Sequence, residues 1–166
     1  MDKIILSFIV GLKVKDNNGK WGIFSADGKQ VLDVKYDSIT SFVEGRALVL
    51  DKVGQRIIGI LDQNGEILKS FENEQIYATA YPYYKEGLLG YKEKNGLCGY
   101  INNQGVISIK ARFYLAAPFQ NGIATVQHAD GDGYFTENEF EEIKKPLSEG
   151  EVLSFANPAW YLLEDE

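Results

Sequence analysis

The residues whose types and spacing hold the clearest potential for chemistry stand between His128 and Glu139. Asp130 and Asp132 alternate ahead of Gly133, Thr136 follows, and Glu139 closes the run. A calcium ion takes about six to eight hard oxygens, set at alternating positions around a sharp turn and ended by a carboxylate that gives both its oxygens. This spacing supplies most of them, with His128 standing where a first carboxylate belongs. The plainer reading of the same residues is an acidic turn capping a short helix. Thr136 and Glu139 lie three apart, as in a capping box, ahead of Phe140 to Lys145, and Pro146 ends the segment.

Nucleophilic catalysis needs a nucleophile with a base in reach. Cys98 is the only cysteine and His128 the only histidine, thirty residues apart. Cys98 is expected to be a small buried hydrophobe. No glycine-rich turn is followed by the Lys and Ser or Thr that would cradle a phosphate. A better candidate for contact with a partner is Ile76-Tyr77-Ala78-Thr79-Ala80-Tyr81-Pro82-Tyr83-Tyr84. Tyrosine offers large contact area at low entropic cost, so Tyr77, Tyr81, Tyr83 and Tyr84 are the candidate binding residues. Against this stands the ordinary alternative that alternating aromatic rings simply fill a core.

The elements that would position these groups are marked by glycines. Gly22, Gly59 and Gly99 are each followed by two apolar residues, and six residues later each copy has Asp27-Gly28, Asn64-Gly65 or Gln104-Gly105. A third glycine, Gly45, Gly87 or Gly122, has an aromatic residue three positions before it: Phe42, Tyr84 or Phe119. The step from first to third glycine is equal in copies one and three and five residues longer in copy two. The tyrosine-rich segment therefore falls within an insertion, and insertions in repeat proteins map to loops on one face. Copies one and three also share a basic-aromatic pair, Lys35-Tyr36 and Arg112-Phe113. The expected units are about 19–58, 59–95 and 96–130, with a half unit at 4–18 and a degenerate capping unit at 131–166, all in one domain spanning 1–166.

Each unit reads as about three short strands: an apolar run such as Trp21 to Ser25, a return after the Asp-Gly or Asn-Gly corner, and a third strand after the third glycine. Ile4 to Val14 reads as a strand of the same array. The fold class is then all-β, a tandem array of three-stranded repeats closed into a barrel or propeller-like ring or left as an open stack, with a short C-terminal helix. The C-terminal Trp160 to Leu163 would cover the edge of the last unit.

Gly19-Lys20-Trp21-Gly22-Ile23-Phe24, the Asp27-Gly28 corner, Lys35-Tyr36-Asp37 and Phe42-Val43-Glu44-Gly45-Arg46-Ala47 together resemble the bacterial WG repeat. Copy three is similar with Cys98 in place of the tryptophan, and copy two has Ile58 there. The resemblance implies a β-structured interaction module and lends no catalytic residue. Residues 128–139 separately resemble an EF-hand loop, which would make Asp130, Asp132, Thr136 and Glu139 the metal ligands.

Seventeen Lys and Arg against 24 Asp and Glu leave a formal charge of −7. That field repels nucleic acid and anionic membrane surfaces and favours a basic protein partner. One cysteine excludes an internal disulfide, and Ile4 to Leu12 lacks the flanks of a signal peptide, so a cytoplasmic protein is expected. The expectation for function is a non-enzymatic protein-binding module without cofactor. In its most concrete form this is an immunity protein that neutralises a basic toxin or effector. The rival is a calcium-dependent or ligand-sensing module that uses the 130–139 segment.

Overall fold

The computed structural model describes residues 3–6, 11–52, 55–128 and 131–136. Within them the chain forms four separate antiparallel sheets, each a meander of strands consecutive in sequence. The first holds β1 (Lys3–Leu6), β2 (Leu12–Lys15), β3 (Trp21–Phe24) and β4 (Gln30–Tyr36). The second holds β5 (Ser38–Ile39), β6 (Ala47–Leu50), β7 (Ile57–Leu61) and β8 (Ile67–Ser70). The third holds β9 (Ile76–Ala78), β10 (Leu88–Glu93), β11 (Cys98–Asn102) and β12 (Ile107–Phe113). The fourth holds β13 (Leu115–Ala116), β14 (Ile123–His128) and β15 (Gly131–Thr136).

The all-β class is as expected, and the strands form separate sheets, not one continuous barrel wall. Each complete sheet has one strand more than the three read from sequence. In the second and third sheets the addition is β5 or β9, and β13 opens the fourth sheet in the same way; these strands are two or three residues long, too short to leave a period-two pattern. Ile4 to Val14, expected as a single strand, instead contributes to two: β1 and β2 pair antiparallel, Ile4 opposite Val14. The expected helix and the covering role of Trp160 to Leu163 lie outside the described residues, except that Thr136 ends β15.

Three apolar clusters join the sheets in chain order. Ile23, Leu32 and Tyr36 of the first sheet pack against Ala47, Val49 and Leu61 of the second. The opposite face of the second sheet, with Leu48, Ile60 and Phe71, packs against Leu89, Tyr91 and Ile101 of the third. Tyr100, Ile109 and Phe113 then meet Ala124 and Val126 of the fourth, with Phe119 from the preceding connector. Strand alternation explains the pattern: neighbours Leu48 and Val49, or Tyr100 and Ile101, serve opposite interfaces. Both faces of the inner sheets are buried, so β6 and β7 read as nearly continuous apolar runs.

The glycines divide into two jobs. Gly22 and Gly99 are not corners. They sit inside β3 and β11, where the register with β4 and β12 slips. A Cβ on Gly22 would stand 2.7 Å from the Leu32 carbonyl oxygen, and one on Gly99 would stand 2.8 Å from the Ala111 nitrogen. The neighbouring strand bulges over a position that only hydrogen can occupy. The third glycines are true corners: Glu44-Gly45, Glu86-Gly87 and Asn121-Gly122 all have positive φ at both residues. That is the turn type whose twist matches paired strands.

Candidate functional site

The two connectors that precede β10 and β14 stand side by side, with a groove between them. Tyr81 and Tyr83 form one wall, on the rigid dipeptide steps around Pro82. Pro118 and Phe119 form the other, with Ile123 and Thr125 of β14 as the floor. The groove encloses about 610 Å³. Both connectors end in the double positive-φ corner.

The four candidate tyrosines fare differently. Tyr81 and Tyr83 are exposed at 37% and 38% and line the groove. Tyr83 donates its backbone N–H to the Tyr81 carbonyl at 2.9 Å, and Tyr81 donates its own to the Thr79 hydroxyl at 3.1 Å, which fixes the segment. Tyr77 is half-buried on β9, opposite Lys92, and bridges to Arg56. Tyr84 is core. Its ring is 1% exposed and its hydroxyl donates to the Asn102 carbonyl at 2.8 Å, so it cannot touch a partner. Its position is that of Phe42 and Phe119, the aromatic anchor three residues before a corner glycine.

Lys85, Gln120 and Asn121 complete the rim. Sequence reasoning missed the whole second wall, although a signal existed. Pro118-Phe119-Gln120-Asn121 occupies the repeat positions of Tyr83-Tyr84-Lys85-Glu86, so a binding residue in one unit points to its equivalent in the next. Among the described residues, the polar side-chain atoms of Tyr81, Tyr83 and Lys85 make no hydrogen bond within the protein, nor do those of Gln120, Asn121 and Thr125. Among the described residues the lining contains Lys85 and no carboxylate. The groove thus sets two exposed aromatic residues beside hydroxyl and amide groups that can each donate and accept.

Other candidates are placed as follows. Cys98 is buried, and burial pushes its thiol pKa up. A thiol held protonated in this way is a poor nucleophile. Its Sγ lies 3.9 Å from the Gly96 carbonyl oxygen and 4.0 Å from that of Tyr114. Asp132 and Thr136 fall on β15, with Asp132 opposite Gln127 and Thr136 opposite Ile123. Asp130 and Glu139 lie outside the described residues. Lys20 and Asp37 pair through their side chains, and Asp37 also accepts the Lys52 N–H at 2.9 Å. The Lys20 contact first, then the Lys52 bond, holds the Asp37 carboxyl below the usual carboxylate range. Lys13 and Lys15 stand 5.7 and 5.5 Å from the Trp21 ring centre.

Residues 21–51 and 99–131 match the WG containing repeat. These two segments are WG repeats. The matched segments begin at Trp21 and Gly99, so each WG repeat covers the last two strands of one sheet and the first two of the next. No curated protein matches the sequence. Among solved structures, the chain is similar to the crystal structure of the computationally designed Ika8 protein, with 13% identity and a TM-score of 0.42. The likeness covers 80% of this chain and 44% of that one, so the chain spans less than half of the designed protein's length.

Proposed function

We propose that this WG-repeat array is a non-enzymatic protein-binding module whose contact face is the groove around Tyr81 and Tyr83. One observation carries the reading. Two exposed tyrosines on one connector stand across a groove from the next connector, where the side-chain amides of Gln120 and Asn121 make no hydrogen bond among the described residues. Exposed aromatic rings beside unpaired donors are what the centre of a protein interface requires. The formal charge of −7 favours a partner whose body is basic, because opposite fields raise the encounter rate and discourage wrong partners.

The test is affinity capture with the intact chain and with the Tyr81→Ala/Tyr83→Ala double variant. Both side chains are exposed, so the variant should keep the parent melting temperature to within about 0.5 kcal/mol of stability. Loss of one retained protein, and weaker retention as salt rises, is the expected result. Equal retention by both proteins would remove the groove from the function. A rise in melting temperature with millimolar calcium would instead favour ligand sensing through the 130–139 segment.

A further inference from the structure

We infer that the acidic run Glu164-Asp165-Glu166 docks on the first sheet of its own chain, against Lys13, Lys15 and Trp21. This surface is separate from the tyrosine groove, and the distribution of charge singles it out. Residues 1–136 hold fifteen Lys and Arg against fifteen Asp and Glu, so as a body they are neutral. Residues 137–166 hold two against nine, and the whole formal charge of −7 sits there. Any cation of the chain that lacks a counter-charge is therefore drawn to that segment.

The nearest surface offers the run no such cation. From Leu115 to Thr136, the span of the fourth sheet, there is no Lys or Arg, and Asp130 and Asp132 add negative charge. In the span of the third sheet Lys85, Lys92 and Lys94 have Glu86 or Glu93 as sequence neighbours and Arg112 is engaged within the protein, which leaves Lys110 alone. The first sheet carries six lysines against three aspartates between Lys3 and Tyr36. Lys20 and Lys35 have carboxylates beside them, at Asp37 and Asp33, whereas Lys13 and Lys15 are in no ion pair among the described residues. Both of their ammonium groups nevertheless stand at one half-buried indole, 5.7 and 5.5 Å from the Trp21 ring centre. Burial strips water from the Lys13 ammonium and lowers its pKa, and its Nζ donates to the Ile39 carbonyl at 3.3 Å. Like charges held at one ring, one of them partly desolvated, are costly without a counter-charge, and carboxylates supply it.

The chain is long enough to make the contact. The apolar clusters stack the sheets in order, and sheets packed face to face lie about 10 Å apart, so three steps put the fourth about 30 Å from the first. Glu164 stands twenty-eight residues beyond Thr136, a length that spans up to about 90 Å. Glu137 to Glu142 lie within six residues of Thr136, at most about 20 Å, so that cluster stays short of the first sheet.

The experiment is paramagnetic relaxation in the intact chain carrying Ala159→Cys with a nitroxide attached; Cys98 is buried and stays unlabelled. Selective broadening of the Lys13 and Lys15 amides and of the Trp21 indole N–H is expected at low salt. It should be lost in about 1 M salt, where the screening length falls to about 3 Å. It should be lost equally in Glu164→Gln/Asp165→Asn/Glu166→Gln, which alters no residue of the four sheets, and in Lys13→Gln/Lys15→Gln. Broadening that survives both the salt and the triple variant, or no broadening of the first sheet at all, would overturn the docking. Broadening confined to residues 115–136 would also overturn it and place the segment on the fourth sheet. Broadening of an isotope-labelled chain by nitroxide on a separate unlabelled chain would assign the contact to a second copy and overturn the docking within one chain. None of these results bears on the tyrosine groove, which the capture experiment tests by itself.

Discussion

At the scale of single residues, burial of hydroxyl groups sets how this protein meets alkaline solution. Tyr91 is fully buried on β10, and its hydroxyl accepts the Ala111 N–H at 3.0 Å. Burial, the dominant cause, pushes its pKa from 10.0 up to about 12. Burial pushes Tyr84 and Tyr100 further in the same direction. A raised folded-state pKa means the folded chain holds its proton where the unfolded chain releases it. The resulting stabilisation is complete below pH 10 and drains away as pH rises toward about 12. The urea midpoint should therefore fall across that window, and Tyr91→Phe should flatten the fall at a cost of roughly 1 kcal/mol near neutrality for the lost hydrogen bond. A midpoint constant from pH 10 to about 12 would contradict the burial described for these rings.

At the scale of elements, the glycine inside the WG strand does more than the glycines at its corners. Gly99→Ala should destabilise by roughly 1 to 3 kcal/mol, because the added methyl group meets the backbone of β12. Gly22→Ala should behave alike against β4. Thermal or urea unfolding of the variants checks this, and unchanged midpoints would mean that the bulge can shift aside at no cost. These positions show what the amino-acid order reveals and what it hides. The repeat, its strands and its corner glycines were legible, since Asp27-Gly28 or Glu44-Gly45 carry their turn chemistry locally. The role of Gly22 and Gly99 was not, because the clash that requires glycine comes from a neighbouring strand about ten residues further along the chain. Likewise Tyr81 and Tyr83 were legible as an insertion, but the assignment of Tyr84 to the core depended on knowing which connector residue anchors the corner. The second groove wall comes from the next unit, and no local pattern announces a contact made by stacking.

At the scale of the whole molecule, adjacent units are tied by a chain of acidic side chains along one edge. The Glu44 carboxylate accepts the N–H groups of Glu86 at 2.7 Å and Gly87 at 2.8 Å, and the Glu86 carboxylate accepts that of Gly122 at 2.9 Å. Each glutamate thus holds the corner of the following unit, and in the third copy Asn121 stands at the glutamate's repeat position. Glu44→Ala should cost about 0.5 to 1.5 kcal/mol. Native-state hydrogen exchange should then show faster exchange at Glu86 and Gly87, with Gly122 unaffected. Unchanged exchange at both amides would mean that apolar stacking alone sets the unit spacing. The apolar clusters supply the bulk of the attraction, and these charge-assisted bonds fix the corner of one unit above the corner of another.

The offset between repeat and sheet has a consequence for how such a chain changes length. A WG repeat stops when its second sheet is half built, so no copy is a self-contained folding piece, and every copy obliges the next to supply the missing strands. Genetic duplication or loss of a whole copy therefore leaves each surviving half facing an equivalent half, and the lattice of contacts heals without new surfaces. A cut placed at a copy boundary does the reverse: it leaves two raw seams, each carrying half a sheet. The fold grows like a zip, tooth by tooth, and tolerates any number of teeth better than it tolerates half of one.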